Sequence, residues 1–381
     1  MPDMVDLASL AERRSYKWRA FPSDVLPAFV AEMDFLLPSC VREALHQAVD
    51  TGDCGYASAS QLAEAFASFA SERHRWEVDP ARVFLLPDVM TGVDEVLGVL
   101  TGPGDGVIVN TPIYPPFLRH VANLGRRLVE VPLRHEAARW ELDLEATAAA
   151  FAGGARAYLL CNPHNPTGRV LSRSELERIA ELAQRFGAVV VSDEIHAPLT
   201  LAGSVHTPYV AVGQLAADHG VTLTSTSKAF NLAGLKCAVM VAGSEPMRRR
   251  LASLPEATAF RAGLLGVIAS VAAWRDGGPW LDGLLEHLAT VRRDMADLLA
   301  RHLPQVGYDP PEAGYLAWLD CRRLGLGDDP SAAFLERGRV ALGHGPDFGP
   351  PGAGFARVTM GTSREILAEI VERMASACQH A

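Results

Sequence analysis

The segment Thr224-Ser-Thr-Ser-Lys228-Ala-Phe-Asn-Leu-Ala-Gly-Leu-Lys236 lies between two apolar runs. Val221 to Leu223 reads as a strand ending in hydroxyl residues, and Cys237 to Ala242 reads as the next strand. A lysine at such an exit can be partly desolvated, which lowers its pKa and makes the amine a nucleophile for a carbonyl. The hydroxyls of Ser225 and Ser227, with the cation of Lys236, suit a phosphate held beside that amine. Taken alone, a Ser/Thr-rich turn before an ordinary surface lysine is the plainer account, so the flanking sequence has to decide.

Upstream of this segment, from Val83 onward, short apolar strands alternate with helical stretches. The expected strands are Val83–Leu86, Gly106–Asn110, Arg127–Val131, Ala157–Cys161, Val189–Ser192, Val221–Thr224 and Cys237–Ala242. Most are apolar throughout, as in strands buried on both faces of a mainly parallel sheet. Ser172-x-x-Glu175 is a capping box, and Leu176, Ile179, Ala183 and Phe186 share one face of the helix that Gly187 closes. This alternation predicts an α/β domain with ligands at the carboxyl ends of its strands.

The first forty residues read as an extended arm with a short strand. Helices are expected from Ser39 to about Val49 and from Gln61 to His74, with Gly55-Tyr56 in the loop between them. After Pro255 the pattern turns helical, and Trp280 to Leu303 reads as one long amphipathic helix. Tyr315–Leu319 and Phe355–Thr359 read as strands, and Thr362-x-x-Glu365 as the cap of a terminal helix. The expected division is an arm and part of a small domain over 1–40, a large ligand-binding domain over 41–275, and a small α+β domain over 276–381.

With 381 residues, 49% hydrophobic and 21% charged, the composition is that of a globular enzyme of two or three domains. A net charge of −10 argues against nucleic acid or an anionic membrane as the main partner. Cys40, Cys54, Cys161, Cys237, Cys321 and Cys378 are scattered without a C-x-x-C pair, as in reduced, mostly buried thiols. No basic-then-apolar leader and no bilayer-length apolar run is evident, so a cytoplasmic protein is expected.

Two further strand exits carry chemistry. Cys161-Asn-Pro-His-Asn-Pro-Thr-Gly168 delivers Asn165, and Val191-Ser-Asp193-Glu-Ile-His196 delivers a carboxylate and an imidazole. No HExxH or paired-histidine spacing supports a metal there. A carboxylate beneath a heterocycle would hold a pyridinium nitrogen protonated. Together with the amine and phosphate donors around Lys228, these residues describe a site for pyridoxal 5'-phosphate.

The chain resembles the fold-type I pyridoxal-phosphate enzymes of the aspartate aminotransferase superfamily, over nearly its whole length. Within it the chain is most similar to the MalY/PatB-type cystathionine β-lyases. That narrower likeness rests on Lys17-Trp18, Ala31-Glu-Met-Asp-Phe35, Asn162-Pro-His-Asn-Pro-Thr-Gly-Arg169, Ser192-Asp-Glu-Ile-His196 and Ser227-Lys-Ala-Phe-Asn-Leu-Ala-Gly-Leu235. His196 stands where many aminotransferases of the superfamily have tyrosine.

The resemblance implies a seven-stranded, mainly parallel sheet between helices. It implies that Lys228 carries the cofactor as an imine, that Asp193 pairs with the pyridine nitrogen, and that Asn165 bonds the phenolic oxygen with His196 beside it. Tyr114 would stack on the ring, and Ser225, Ser227 and Lys236 would hold the phosphate with main-chain donors of Val89-Met90-Thr91 at a helix start. Arg357 would clamp the substrate carboxylate, with Asn165 and Tyr114 beside the substrate. Tyr56 would reach the phosphate of a neighbouring subunit, implying a homodimer with shared sites.

Glu32 replaces the family's usual aspartate and Phe29 its usual tryptophan. The Val-Thr-Met-Gly-Thr-Ser stretch after Arg357 lacks the expected asparagine and proline, and Ser-Thr-Ser precedes Lys228 where a proline is common. These departures touch the substrate side and remove no catalytic group. The implied reaction releases a thiol from Cβ and ends in pyruvate and ammonia, with Lys228 taking the α-proton. An aminotransferase built on the same residues is the nearest alternative, and an inactive pyridoxal-phosphate-binding regulator a remote one. Gly102-Pro-Gly-Asp-Gly106 precedes its strand, which argues against a nucleotide-binding loop.

Overall fold

The computed structural model describes residues 2–136 and 138–379. Its centre is a seven-stranded sheet of β1 (Val83–Leu86), β2 (Gly106–Val109), β3 (Arg127–Glu130), β4 (Ala155–Cys161), β5 (Val189–Asp193), β6 (Gly220–Thr224) and β7 (Ala238–Ala242). The spatial order is β1-β7-β6-β5-β4-β2-β3. Strands β3, β2, β4, β5 and β6 run parallel, while β7 is antiparallel to both β6 and β1. All seven strands stand within two residues of the expected bounds.

The continuous apolar runs are explained by the two cores they separate. Val107, Val109, Leu159, Val191, Leu223 and Met240 face one core, with the helices Val89–Leu100 and Pro115–Asn123. Their strand neighbours Ile108, Tyr158, Leu160, Val190 and Val239 face the other, against the helix Arg173–Phe186. Since successive side chains point to opposite faces, a strand covered on both has no polar alternation to show. The capping box at Ser172 and Glu175 is formed, and Gly187 closes that helix at φ 62°.

A second sheet, wholly antiparallel, joins β8 (Gly307–Tyr308), β9 (Leu316–Asp320), β10 (Gly343–His344) and β11 (Phe355–Thr359) in the order β8-β9-β11-β10. The helices Gly278–His302 and Arg364–Cys378 belong to the same layer. The arm is tied to it where Leu26–Pro27 runs parallel to Val340–Ala341. No helix among the described residues is long and apolar enough to cross a membrane.

Three local features differ from the sequence-based expectation. The arm carries two short helices, Leu7–Ala11 and Tyr16–Arg19, the first capped by Asp6, whose carboxylate accepts the Ser9 N–H at 2.9 Å. A hairpin, Arg134–Glu136 with Arg139–Glu141, adds a small two-stranded sheet. The terminal helix is capped by Ser363, whose hydroxyl accepts the Ile366 N–H, and not by Thr362. Thr362 is buried, its carbonyl bonds His287 Nε2 at 2.8 Å, and its hydroxyl finds no partner among the described residues.

Candidate active site

The carboxyl ends of β4, β5 and β6 open on one cavity of about 240 Å³. From β6 the chain passes through Ser225, the N-cap of the one-turn helix Thr226–Ala229. That turn aims Lys228 into the cavity, where Nζ donates to the Ala31 carbonyl at 2.9 Å. Burial, with the Arg357 cation nearby, lowers the Lys228 amine to about 8. A useful fraction is therefore uncharged near neutral pH.

Ser227 lines the cavity, whereas Ser225 stands behind it. The Ser225 hydroxyl donates to the Cys237 carbonyl at 2.6 Å, lies 2.7 Å from Ser227 Oγ and accepts the Ser227 N–H. Ser225 thus orients Ser227. Lys236, 59% exposed in its side chain, reaches Asp88 Oδ2 at 3.2 Å. The other Asp88 oxygen accepts the Thr91 N–H at 2.8 Å and caps the helix Val89–Leu100. Val89 and Met90 line the cavity with first-turn N–H groups that have no intrahelical acceptor, while the Thr91 N–H is already used.

From β5, Asp193 projects beneath the cavity. Its Oδ1 accepts the Ile195 N–H at 3.0 Å, and it forms no ion pair among the described residues. Burial, with the charge of adjacent Glu194, raises its carboxyl to about 7. Glu194 itself turns the other way, toward His206 Nε2 at 3.1 Å and the Tyr209 N–H at 2.8 Å. Burial lowers His196 to about 3, so it is a neutral imidazole.

From β4, Asn165 lines the same space, and its Oδ1 accepts from Arg357 Nη1 at 3.0 Å. Arg357 enters from β11 and also donates through Nη2 to the Phe29 carbonyl at 2.9 Å. Its Nε is buried with no partner among the described residues, and the guanidinium lies 5.0 Å from the Phe348 ring centre. Burial lowers it to about 10, which leaves it a cation at neutral pH. Tyr114, at the start of the helix Pro115–Asn123, lines the cavity and packs edge-on to Phe117.

Nine residues expected at the site therefore line one cavity: Lys228, Asp193, His196, Asn165, Tyr114, Ser227, Lys236, Val89 and Met90. Arg357 joins them through Asn165, while Ser225 and Thr91 support the wall from behind. Tyr56 stands apart. It is 84% exposed, bridges Gly263 and meets Phe260, itself 53% exposed, edge-on at 5.7 Å.

Sequence reasoning missed Asp88 and Ala31. Asp88 had a signal, an acidic residue just before an apolar helix. Ala31 acts through its carbonyl, which has no side-chain signature.

The aminotransferase class I and II family profile matches residues 30–374. A Mycobacterium tuberculosis protein provisionally named a cystathionine beta-lyase is 47% identical, over 96% of this chain and 94% of that one. The cystathionine beta-lyase of Corynebacterium glutamicum is 36% identical, over 97% of this chain and 98% of its own. Among solved structures, cystalysin from Treponema denticola, which contains pyridoxal 5'-phosphate, superposes with a TM-score of 0.95 at 26% identity, covering 100% of this chain and 99% of that one. The fold, the converging strand exits and the family match agree: the chain belongs to the class I and II aminotransferase family, pyridoxal-phosphate enzymes of fold type I.

Proposed function

We propose that this chain is a carbon–sulfur β-lyase that cleaves cystathionine or S-substituted cysteines to pyruvate, ammonia and a thiol. The observation that carries the reading is the meeting of Lys228, Asp193 and Asn165 at one cavity, with Arg357 bonded to Asn165, in a chain whose relatives include the named cystathionine beta-lyases.

The residues fit pyridoxal phosphate. Asp193 is a buried carboxyl with no ion-pair partner among the described residues, and a protonated ring nitrogen would supply one. The first-turn N–H groups of Val89 and Met90, the Ser227 hydroxyl and the Lys236 ammonium form a donor set for a phosphate. Tyr114 offers a ring face as a stacking partner, and Asn165 and His196 a polar edge.

When bound, the cofactor supplies an electron sink for a carbanion at the substrate Cα. The protein does the rest. Arg357 binds the substrate carboxylate, with its unpartnered Nε available beside the Asn165 contact. Lys228, uncharged in part, takes the proton from Cα. Asp193 keeps a proton on the ring nitrogen. Neutral His196 adds no charge against that proton.

The working unit in this reading is a homodimer. Tyr56 and Phe260 form an exposed aromatic pair away from their own cavity, as suits a residue serving a second copy. The working division of the chain is an arm over 1–40, a large unit over 41–275 and a small one over 276–381. Six free thiols favour a reducing compartment, the cytoplasm.

The deciding experiment incubates the cofactor-loaded protein with cystathionine, cystine and S-substituted cysteines in the absence of any keto acid, while pyruvate and thiol are assayed. Stoichiometric release of both is expected. Amino transfer that requires an added keto acid, with no pyruvate without it, would overturn the lyase reading in favour of an aminotransferase.

A further inference from the structure

The strip 29–35 crosses the site without regular secondary structure, yet nearly every carbonyl in it accepts a hydrogen bond from a side chain. Phe29 O takes Arg357 Nη2 at 2.9 Å, and Val30 O takes Thr359 Oγ1 at 2.7 Å. Ala31 O receives both Lys228 Nζ at 2.9 Å and Tyr315 OH at 3.0 Å. Met33 O accepts Asn231 Nδ2 at 2.9 Å, three residues past Lys228. The strip is thus a strap to which the amine from β6 and the guanidinium from β11 are both moored.

One end of the strap is fixed by a buried ion pair. Lys17 Nζ lies 2.7 and 2.8 Å from the two oxygens of Asp34 and donates as well to the Glu32 carbonyl at 3.2 Å. Both side chains are 2% exposed. Arg13, four residues earlier on the arm, holds the Met33 and Phe35 carbonyls. A buried ion pair gains little net stability over apolar side chains of the same shape, because desolvation offsets most of the attraction. Directional contacts from a cation to one carboxylate and one carbonyl do, however, fix the path of the main chain.

We propose that Lys17 and Asp34 are positioning residues for the active site, fixing the strap so that its carbonyls set the places of Arg357 and Lys228. The proposal deepens the function given above and rests on it for the role of Arg357. A strap free to shift would loosen the carboxylate clamp and the lysine together, although neither Lys17 nor Asp34 lines the cavity.

The test compares cofactor-loaded wild type with the double variant Lys17→Met/Asp34→Leu, which removes the pair without leaving a buried charge, and with Ile179→Ala, a core cavity variant behind the sheet. Two readouts need no turnover. One is the affinity for propionate, an unreactive carboxylate. The other is the pH at which the visible absorbance of the bound cofactor titrates. In the double variant we expect propionate binding to weaken by about tenfold and the titration midpoint to move by about half a pH unit, with neither change in Ile179→Ala. Both readouts unchanged in the double variant, or changed equally in Ile179→Ala, would overturn the proposal. If the double variant does not fold, Lys17→Arg, which keeps the charge but alters the reach to Glu32, is judged by the same two outcomes. Absence of thiol release by wild type would sink the lyase reading instead and leave these measurements to judge the ion pair.

Discussion

Asn165 Oδ1 accepts from Arg357 Nη1 at 3.0 Å, a single contact that joins the exit of β4 to a strand of the second sheet. The guanidinium donates to both Asn165 and the Phe29 carbonyl and keeps Nε without a partner among the described residues, a division of donors that suits a planar fork. Arg357→Lys should therefore raise KM for the amino acid by about tenfold or more while the cofactor stays bound. Arg357→Ala should do so more strongly. Steady-state kinetics with absorbance spectra check this, and loss of cofactor colour in either variant would count against the role given to Arg357.

Lys228 is the one amine in the cavity that is both desolvated and held at a strand exit. Lys228→Ala should abolish the visible absorbance of an imine-bound cofactor and reduce turnover by several orders of magnitude. Mass spectrometry after borohydride reduction should find the cofactor on residue 228 in wild type. A reduced adduct on any other lysine would defeat the assignment.

Asp193 makes the stability of the cofactor-free chain depend on pH. Its folded pKa of about 7 lies above the 3.8 of an ordinary aspartate, so the folded chain binds this proton more tightly. The contribution is whole below about pH 4 and is lost as pH rises through about 7. Asp193→Asn should match wild type near pH 4 and exceed it near pH 8, by up to a few kcal/mol. Denaturant melts at the two pH values measure it, and parallel pH profiles would exclude this account. In the loaded protein the order should reverse, since the cofactor would lose its charged partner.

Gly266, in the helix Leu264–Asp276, packs beneath the turn that carries Lys236. A Cβ there would collide with the Leu235 carbonyl oxygen, a main-chain atom that cannot swing aside. Gly266→Ala should cost about 1–3 kcal/mol and weaken cofactor affinity by moving Lys236. Gly98, on the exposed side of its helix, has open space at that position and should gain up to about 1 kcal/mol as alanine. Thermal melts and cofactor titrations of both variants would settle the contrast; equal behaviour would contradict it.

Much of the site was legible because its chemistry lies in side chains at strand ends. Asn165, Asp193 and Lys228 each follow an apolar run whose length and composition mark a buried strand, and the structure brings all three to one cavity. What escaped was carried by the main chain or by long-range packing. The strap carbonyls of Phe29 and Ala31 leave no trace in residue type. Thr362 and Ser363 look alike as caps, and only the demand of the core for the first decides for the second. The direction of β7 was equally hidden, since an apolar run reads the same for either strand sense.

That reversed strand has a further effect. Because β7 starts at the edge where β6 finishes, residues 225–237 return along the cavity edge of the sheet, so the amine of Lys228 and the ammonium of Lys236, eight positions later, both line the same cavity. Had the chain crossed over to enter in parallel, the second charge would have been delivered to the far rim of the sheet. The spacing of the two lysines is thereby set by the geometry of a hairpin, and a one-residue insertion between them would disturb both ends of the ligand at once.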